Sequence, residues 1–170
     1  KRIFDRVDRD KIFIYISTLS VENKILNKDP YVKNKIKIER LIVKNSNNYL
    51  IIRLPQLVGN NKNKYTLTNS IYKCFIHEKK FNIWKNSKRN LIDIDDFIII
   101  LKKFLKKNKI NNRIVNIFNY QSIEIVKLLK IFSSVLKKKI KVKLINKNNK
   151  NFSLKVINKK LYLQNLTIKE

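Results

Sequence analysis

Tyr31 and Lys35 stand four residues apart in a stretch of helical pattern, so both side chains project from one face and can meet. A free phenol titrates near ~10 and is a poor base at neutral pH, but a nearby ammonium favours the phenolate. The pair could therefore exchange a proton with a hydroxyl during a carbinol–carbonyl interconversion. In a chain this rich in Lys, a Tyr-x-x-x-Lys pair is expected about once by chance, so the motif alone proves nothing. Its surroundings matter more. Ser17-Thr18 closes the apolar strand just before it, and Arg53 falls near the end of the strand just after it. Arg89 precedes Asp96 further along. In an open parallel sheet, ligands sit beyond the carboxyl ends of strands, where the Thr18 hydroxyl could orient the oxygen that Tyr31 protonates.

The elements that must position these groups alternate along the chain. Residues 11–17, KIFIYIS, form a continuous apolar run, predicting a strand buried on both faces. A polar loop leads to Pro30 and a helix over 31–45, then a second buried strand over 49–55. Helices are expected over 65–78, 97–107 and 122–138, the last capped by Ser122. Asp95 and Asp96 would start the middle one, with carboxylates at its positive end. Short strands are expected at 81–84, 89–94, 112–118 and 139–145. The first ten residues read as the end of an amphipathic helix, and the tail as one strand in FSLKVI with a helical turn near Leu161. Repeated strand–helix alternation predicts an α/β sandwich around a mostly parallel sheet. The single glycine, Gly59, falls in a loop where positive φ is expected.

Composition bounds the function. The 170 residues suffice for one domain with a real core. A net charge of +28 would ordinarily point to nucleic acid, and exposed Tyr72, Trp84 and Tyr120 could stack on bases. Against this, Lys, Asn and Ile fill half the chain, Ala and Met are absent, and only seven of forty basic residues are Arg. That skew is compositional, and the Lys are spread along the sequence without an evident stripe. A basic nucleic-acid-binding domain stands as the alternative reading. The lone Cys74 implies no internal disulfide and a reducing, cytoplasmic setting. With His77 three residues away it reads as a buried Cys beside a surface His, too few ligands for a metal cluster. No apolar run approaches membrane-spanning length. Lys1 opens inside what reads as a helix, so the chain is expected to be a piece of a longer protein.

With these residues in place, the sequence resembles the NAD-dependent epimerase/dehydratase family, the extended short-chain dehydrogenase/reductases. The resemblance rests on IYISTLSV (14–21), YVKNKIKIE (31–39), LIIRLPQLVG (50–59), TLTNSI (66–71) and RNLIDIDDF (89–97), in family order, and covers roughly residues 10–135. It implies a partial doubly wound, Rossmann-like parallel sheet with a small C-terminal substrate-binding portion. Residues 1–60 would be the second half of the core, and 61–170 the substrate-binding portion interleaved with the last core strand and helix. Position by position, it implies Thr18, Tyr31 and Lys35 as catalytic residues. Ser17, Tyr31, Lys35 and the loop of Pro55, Gln56, Leu57 and Val58 would lie at NAD or NADP. Thr18, Asn69 and Arg89 would face a nucleotide-linked sugar, and Asp96 would cap a helix. The family's glycine-rich loop is absent, so the chain would be the part lacking it, inactive alone. Leu19 and Ser20 replace the acidic pair of dehydratases, and Glu22-Asn23 the usual aromatic-Gly. An epimerase or reductase, homodimeric when complete, is therefore expected, with a non-catalytic family member as a further alternative.

Overall fold

The structure is a computed structural model that describes residues 11–60, 63, 65–107 and 112–146. The expected first helix, the 152–157 strand and the turn near Leu161 lie outside the described residues. Strand β1 (Phe13–Thr18) runs into two 3₁₀ turns, Leu19–Glu22 and Lys24–Lys28, before helix α1 (Pro30–Asn45). The segment expected to be a plain polar loop is thus ordered, because Thr18, Asn23 and Asp29 each cap the element that follows. Next come β2 (Tyr49–Leu54), β3 (Gln56–Val58), α2 (Leu67–Ile76), β4 (Phe81–Trp84), β5 (Lys88–Arg89) and β6 (Leu91–Asp93). Helix α3 (Ile94–Lys107), β7 (Arg113–Asn116), β8 (Ile123–Glu124), α4 (Ile125–Leu136) and β9 (Val142–Ile145) complete the described chain.

Strands β1, β2 and β7 form a parallel sheet in that order, with β2 central. Its two faces are covered by different helices, the α/β sandwich that the alternating pattern predicted. Leu50, Ile52 and Leu54 meet Phe97, Leu101 and Phe104 of α3 on one side. Tyr49 and Ile51 meet Ile38 and Ile42 of α1 on the other. A second core joins Ile71 and Phe75 of α2, Ile83 of β4, and Ile125, Leu128 and Leu129 of α4. Three two-stranded ladders flank the sheet: β3·β6 and β4·β9 parallel, β5·β8 antiparallel.

Three expectations change. Strand β1 is not buried on both faces: Ile14 and Ile16, which share one face, are 41% and 37% exposed, and among the described residues β1 is an edge of its sheet. A continuous apolar run cannot say whether a neighbouring strand is present. Helix α4 begins after β8, and Glu124 stands at its N-cap without a side-chain cap bond, so Ser122 does not cap it. Asp96 does not cap α3: it lies inside the first turn with Asp95, at the helix's positive end as expected, and the backbone N–H of Asp95 is satisfied by Asp93 Oδ1 at 2.8 Å. Cys74 is half-buried and His77 closes α2 at the surface.

Gly59 adopts φ +138° in the turn after β3, as expected of the lone glycine, and a Cβ there would lie 2.5 Å from Ile94 Cγ2. Gly59→Ala should therefore lower stability by ~1–3 kcal/mol. Urea unfolding checks this, and a change under about 0.5 kcal/mol would contradict the clash.

Candidate active site at the carboxyl rim of the sheet

Because β1, β2 and β7 are parallel, their carboxyl ends share one rim, and Ser17, Arg53 and Asn116 stand in a row across it. Glu39 reaches this row from the inner face of α1. The Arg53 guanidinium donates from Nε to Glu39 Oε1 at 3.1 Å and Oε2 at 3.2 Å, and from a terminal nitrogen to Oε2 at 2.6 Å. Its other terminal nitrogen pairs with Glu22 of the first 3₁₀ turn, which also accepts from Asn116 Nδ2 at 3.4 Å. The Ser17 hydroxyl donates to Glu39 Oε1. This clasp joins three strands, a turn and a helix. Burial pulls the Arg53 pKa down, but Glu39 and Glu22 outweigh it and hold the guanidinium charged beyond its ordinary value. Glu39 was not singled out from sequence, and Glu22 only as a departure from the family pattern. The signal for Glu39 was there: it is the one carboxylate of α1, and at helical spacing it falls with Val32 and Ile42 on the buried face.

Tyr31 and Lys35 lie at the start of α1. Asp29 sets the helix entry, its Oδ1 accepting from the backbone N–H of Tyr31 at 2.8 Å and of Val32 at 3.2 Å. Lys35 Nζ donates to the Ile16 carbonyl at 3.0 Å, so its ammonium is anchored on β1. It sits 4.7 Å from the Tyr15 ring centroid and 5.8 Å from that of Tyr31, a cation shared by two aromatic faces. Tyr31 is 57% exposed, open to an incoming ligand. Thr18 ends β1, and its Oγ1 accepts from the Ser20 N–H at 3.2 Å. That bond fixes the hydroxyl oxygen at the strand end and leaves its proton to donate.

The remaining expected residues are placed as follows. Ser17 is buried and its hydroxyl is directed to Glu39, so it braces the rim from within. Gln56 to Val58 form strand β3 against Leu91–Asp93 instead of the expected loop, with Leu57 packed on the first core and Pro55 linking β2 to β3. Asn69 lies in the first turn of α2, its side-chain amide donating to the Asn63 carbonyl at 2.8 Å. Arg89 is on β5, two residues before Leu91, which pairs with Gln56. Burial lowers the Arg89 pKa; among the described residues none forms an ion pair with it, and its guanidinium donates only to the Lys88 carbonyl, at 2.9 Å. Tyr72, Trp84 and Tyr120 are exposed, as expected. Among the described residues no cluster of metal-ligating side chains exists. None of their helices is long and apolar enough to cross a membrane.

No family profile matches the sequence, and no curated protein matches it. Solved structures do. A UDP-glucuronic acid 4-epimerase from Bacillus cereus, in complex with NAD, superposes with a TM-score of 0.70 at 20% identity, over 80% of this chain and 49% of that one. A dTDP-glucose 4,6-dehydratase from Bacillus anthracis, with NAD, gives 0.64 at 13% identity over 81% and 50%. RMD from Pseudomonas aeruginosa, with NADPH, gives 0.63 at 13% over 78% and 54%. The chain has the fold of the nucleotide-sugar epimerases and dehydratases. It spans about half the length of these structures. The Rossmann-like architecture that the resemblance implied is therefore present, in part, and the neighbours that share it hold NAD or NADPH.

Proposed function

We propose that this chain supplies the catalytic and sugar-binding portion of an NAD(P)-dependent epimerase or reductase acting on a nucleoside-diphosphate sugar. The observation that carries the proposal is the anchored Lys35 ammonium beside the open Tyr31 ring, at the carboxyl rim of a parallel sheet whose edge strand ends in Thr18. The fold shared with enzymes named for such substrates supports it.

In this reading Tyr31 gives or takes the hydroxyl proton, Thr18 donates a hydrogen bond to the same oxygen, and Lys35 stabilises the phenolate. A bound nicotinamide would accept or deliver the hydride. The donor set fits one end of that cofactor: an ammonium and a phenol at the rim suit ribose hydroxyls, alongside β3. The pyrophosphate end calls for a glycine-rich loop, and the one glycine is already used in the turn after β3. Among the described residues β1 is an open edge, where a parallel strand carrying such a loop would add, and a helix accompanying that strand would cover the exposed Ile14 and Ile16 on the face. Arg89, half-buried with no carboxylate partner among the described residues, is suited to the substrate diphosphate, and Asn69 to its nucleotide.

The test is turnover of a panel of nucleoside-diphosphate sugars by the complete polypeptide with NAD or NADP. Arg89→Leu should raise KM about 10–100-fold with kcat little changed, as expected for lost ground-state binding. No turnover of any sugar nucleotide, with cofactor demonstrably bound, would overturn the proposal.

A further inference from the structure

The turn that follows Thr18 is fastened at both ends. At its start, Thr18 Oγ1 accepts from the Ser20 N–H at 3.2 Å. The Ser20 carbonyl accepts from the Asn23 N–H at 3.1 Å, which closes the Leu19–Glu22 turn. At its far end, the Glu22 carboxylate pairs with Arg53 at the end of β2 and accepts from Asn116 Nδ2 of β7. An unbroken line of contacts therefore runs from the rim of the sheet to the Thr18 hydroxyl oxygen. Leu19 and Asn23 are buried, which leaves the turn little room to shift.

Charge balance alone does not call for Glu22. Glu39 already faces Arg53 with both oxygens, through Nε and one terminal nitrogen. Glu22 sets a second carboxylate against the same guanidinium, and the two like charges repel. What it adds is attachment: Glu39 ties α1 to the sheet, and Glu22 ties the turn. By the resemblance, Glu22-Asn23 stand where an aromatic residue and a glycine are usual. Asn23 has φ −93°, which any residue adopts, so the turn closes without glycine. A carboxylate in place of the aromatic ring gives Arg53 and Asn116 an oxygen to hold.

We propose that Glu22 is a positioning residue, which pins the turn to the carboxyl rim and thereby holds the Thr18 hydroxyl for the reacting oxygen. This rests on the role proposed above for Thr18. Glu22 touches no reacting atom in this role and acts through Thr18.

The experiment uses the complete polypeptide and a sugar nucleotide that it turns over. Glu22→Ala should lower kcat about tenfold or more, with KM within about twofold of the parent. Glu22→Gln keeps an oxygen for Arg53 and Asn116 to share, and should stay within about threefold. In a Thr18→Val background, Glu22→Ala should cost less than about twofold, because no hydroxyl is left to position. Equal losses in the two backgrounds would make Glu22 a general support and overturn the proposal. A kcat unchanged by Glu22→Ala would do the same. Hydrogen exchange supplies a readout that needs no turnover. Glu22→Ala should speed exchange of the Ser20 amide at least about tenfold and leave the Ile51 amide of β2 unchanged. Parallel acceleration at both amides means global destabilisation, and no change at Ser20 means the turn does not depend on Glu22; either result overturns the proposal. A parent with bound cofactor that turns over no sugar nucleotide overturns the enzymatic reading instead, and the exchange comparison still decides whether Glu22 holds Thr18.

Discussion

Tyr31→Phe in the complete polypeptide should lower turnover about 10²–10⁴-fold, the range expected when a positioned proton donor is removed. Stability should stay within about 0.5 kcal/mol, because the hydroxyl makes no hydrogen bond with a described residue and the ring is largely exposed. The contrast between these two readouts is what gives the variant its force. Lys35, by comparison, is tied to the Ile16 carbonyl and lies against Tyr15, so replacing it perturbs β1 as well as the chemistry. The measurement is single-turnover hydride or epimer formation at several pH values, with the unfolding midpoint recorded alongside. Turnover unchanged from the parent would remove the phenol from the mechanism and favour a non-catalytic scaffold.

The second large effect is structural. Glu39→Leu should cost ~3 kcal/mol of stability, because it strands the Ser17 hydroxyl and leaves the Arg53 guanidinium with Glu22 alone. In the variant Arg53 loses Glu39, the larger of the two influences that raise its pKa, but it stays protonated through the usual working range because the ordinary value of an arginine is already high. Raising the pH toward 9 will therefore not relieve the stranded charge. Glu39→Leu combined with Arg53→Met should recover much of the loss, because an apolar pair of similar bulk removes both desolvated charges. A double-mutant cycle by urea unfolding measures the coupling. A single-variant loss below about 1 kcal/mol would mean the clasp is solvated and contributes little.

Much of the arrangement was legible in the residues, for identifiable reasons. Strand β2 is buried along nearly its whole length, and its run of Leu50, Ile51 and Ile52 already said so. Pro30 marked the first turn of α1, and the Tyr31–Lys35 spacing placed both on one side of it. What the sequence concealed was long-range. Whether β1 has a second neighbour depends on another strand, which no local pattern encodes. The three-residue strand β3 was hidden because its partner, Leu91–Asp93, is remote in sequence. The capped turns between β1 and α1 were readable from Thr18, Asn23 and Asp29, but only if each polar side chain is asked which backbone N–H it serves. Glu39 was masked by the surrounding Lys, which make any single carboxylate look like one more surface charge.

The order of the central ladders also dictates when this polypeptide can acquire its shape. Phe13 pairs with Tyr49, and Leu50 with Arg113, so the sheet contains no hairpin that could zip locally. Loop-closure entropy must be overcome across dozens of residues before either ladder returns any stabilisation, which makes folding slow for a chain of this size. During synthesis, β2 must wait with one flank unsatisfied until Arg113 has left the ribosome. The nascent chain spends that interval with Leu50, Ile52 and Leu54 uncovered, the stage at which it is most prone to self-association.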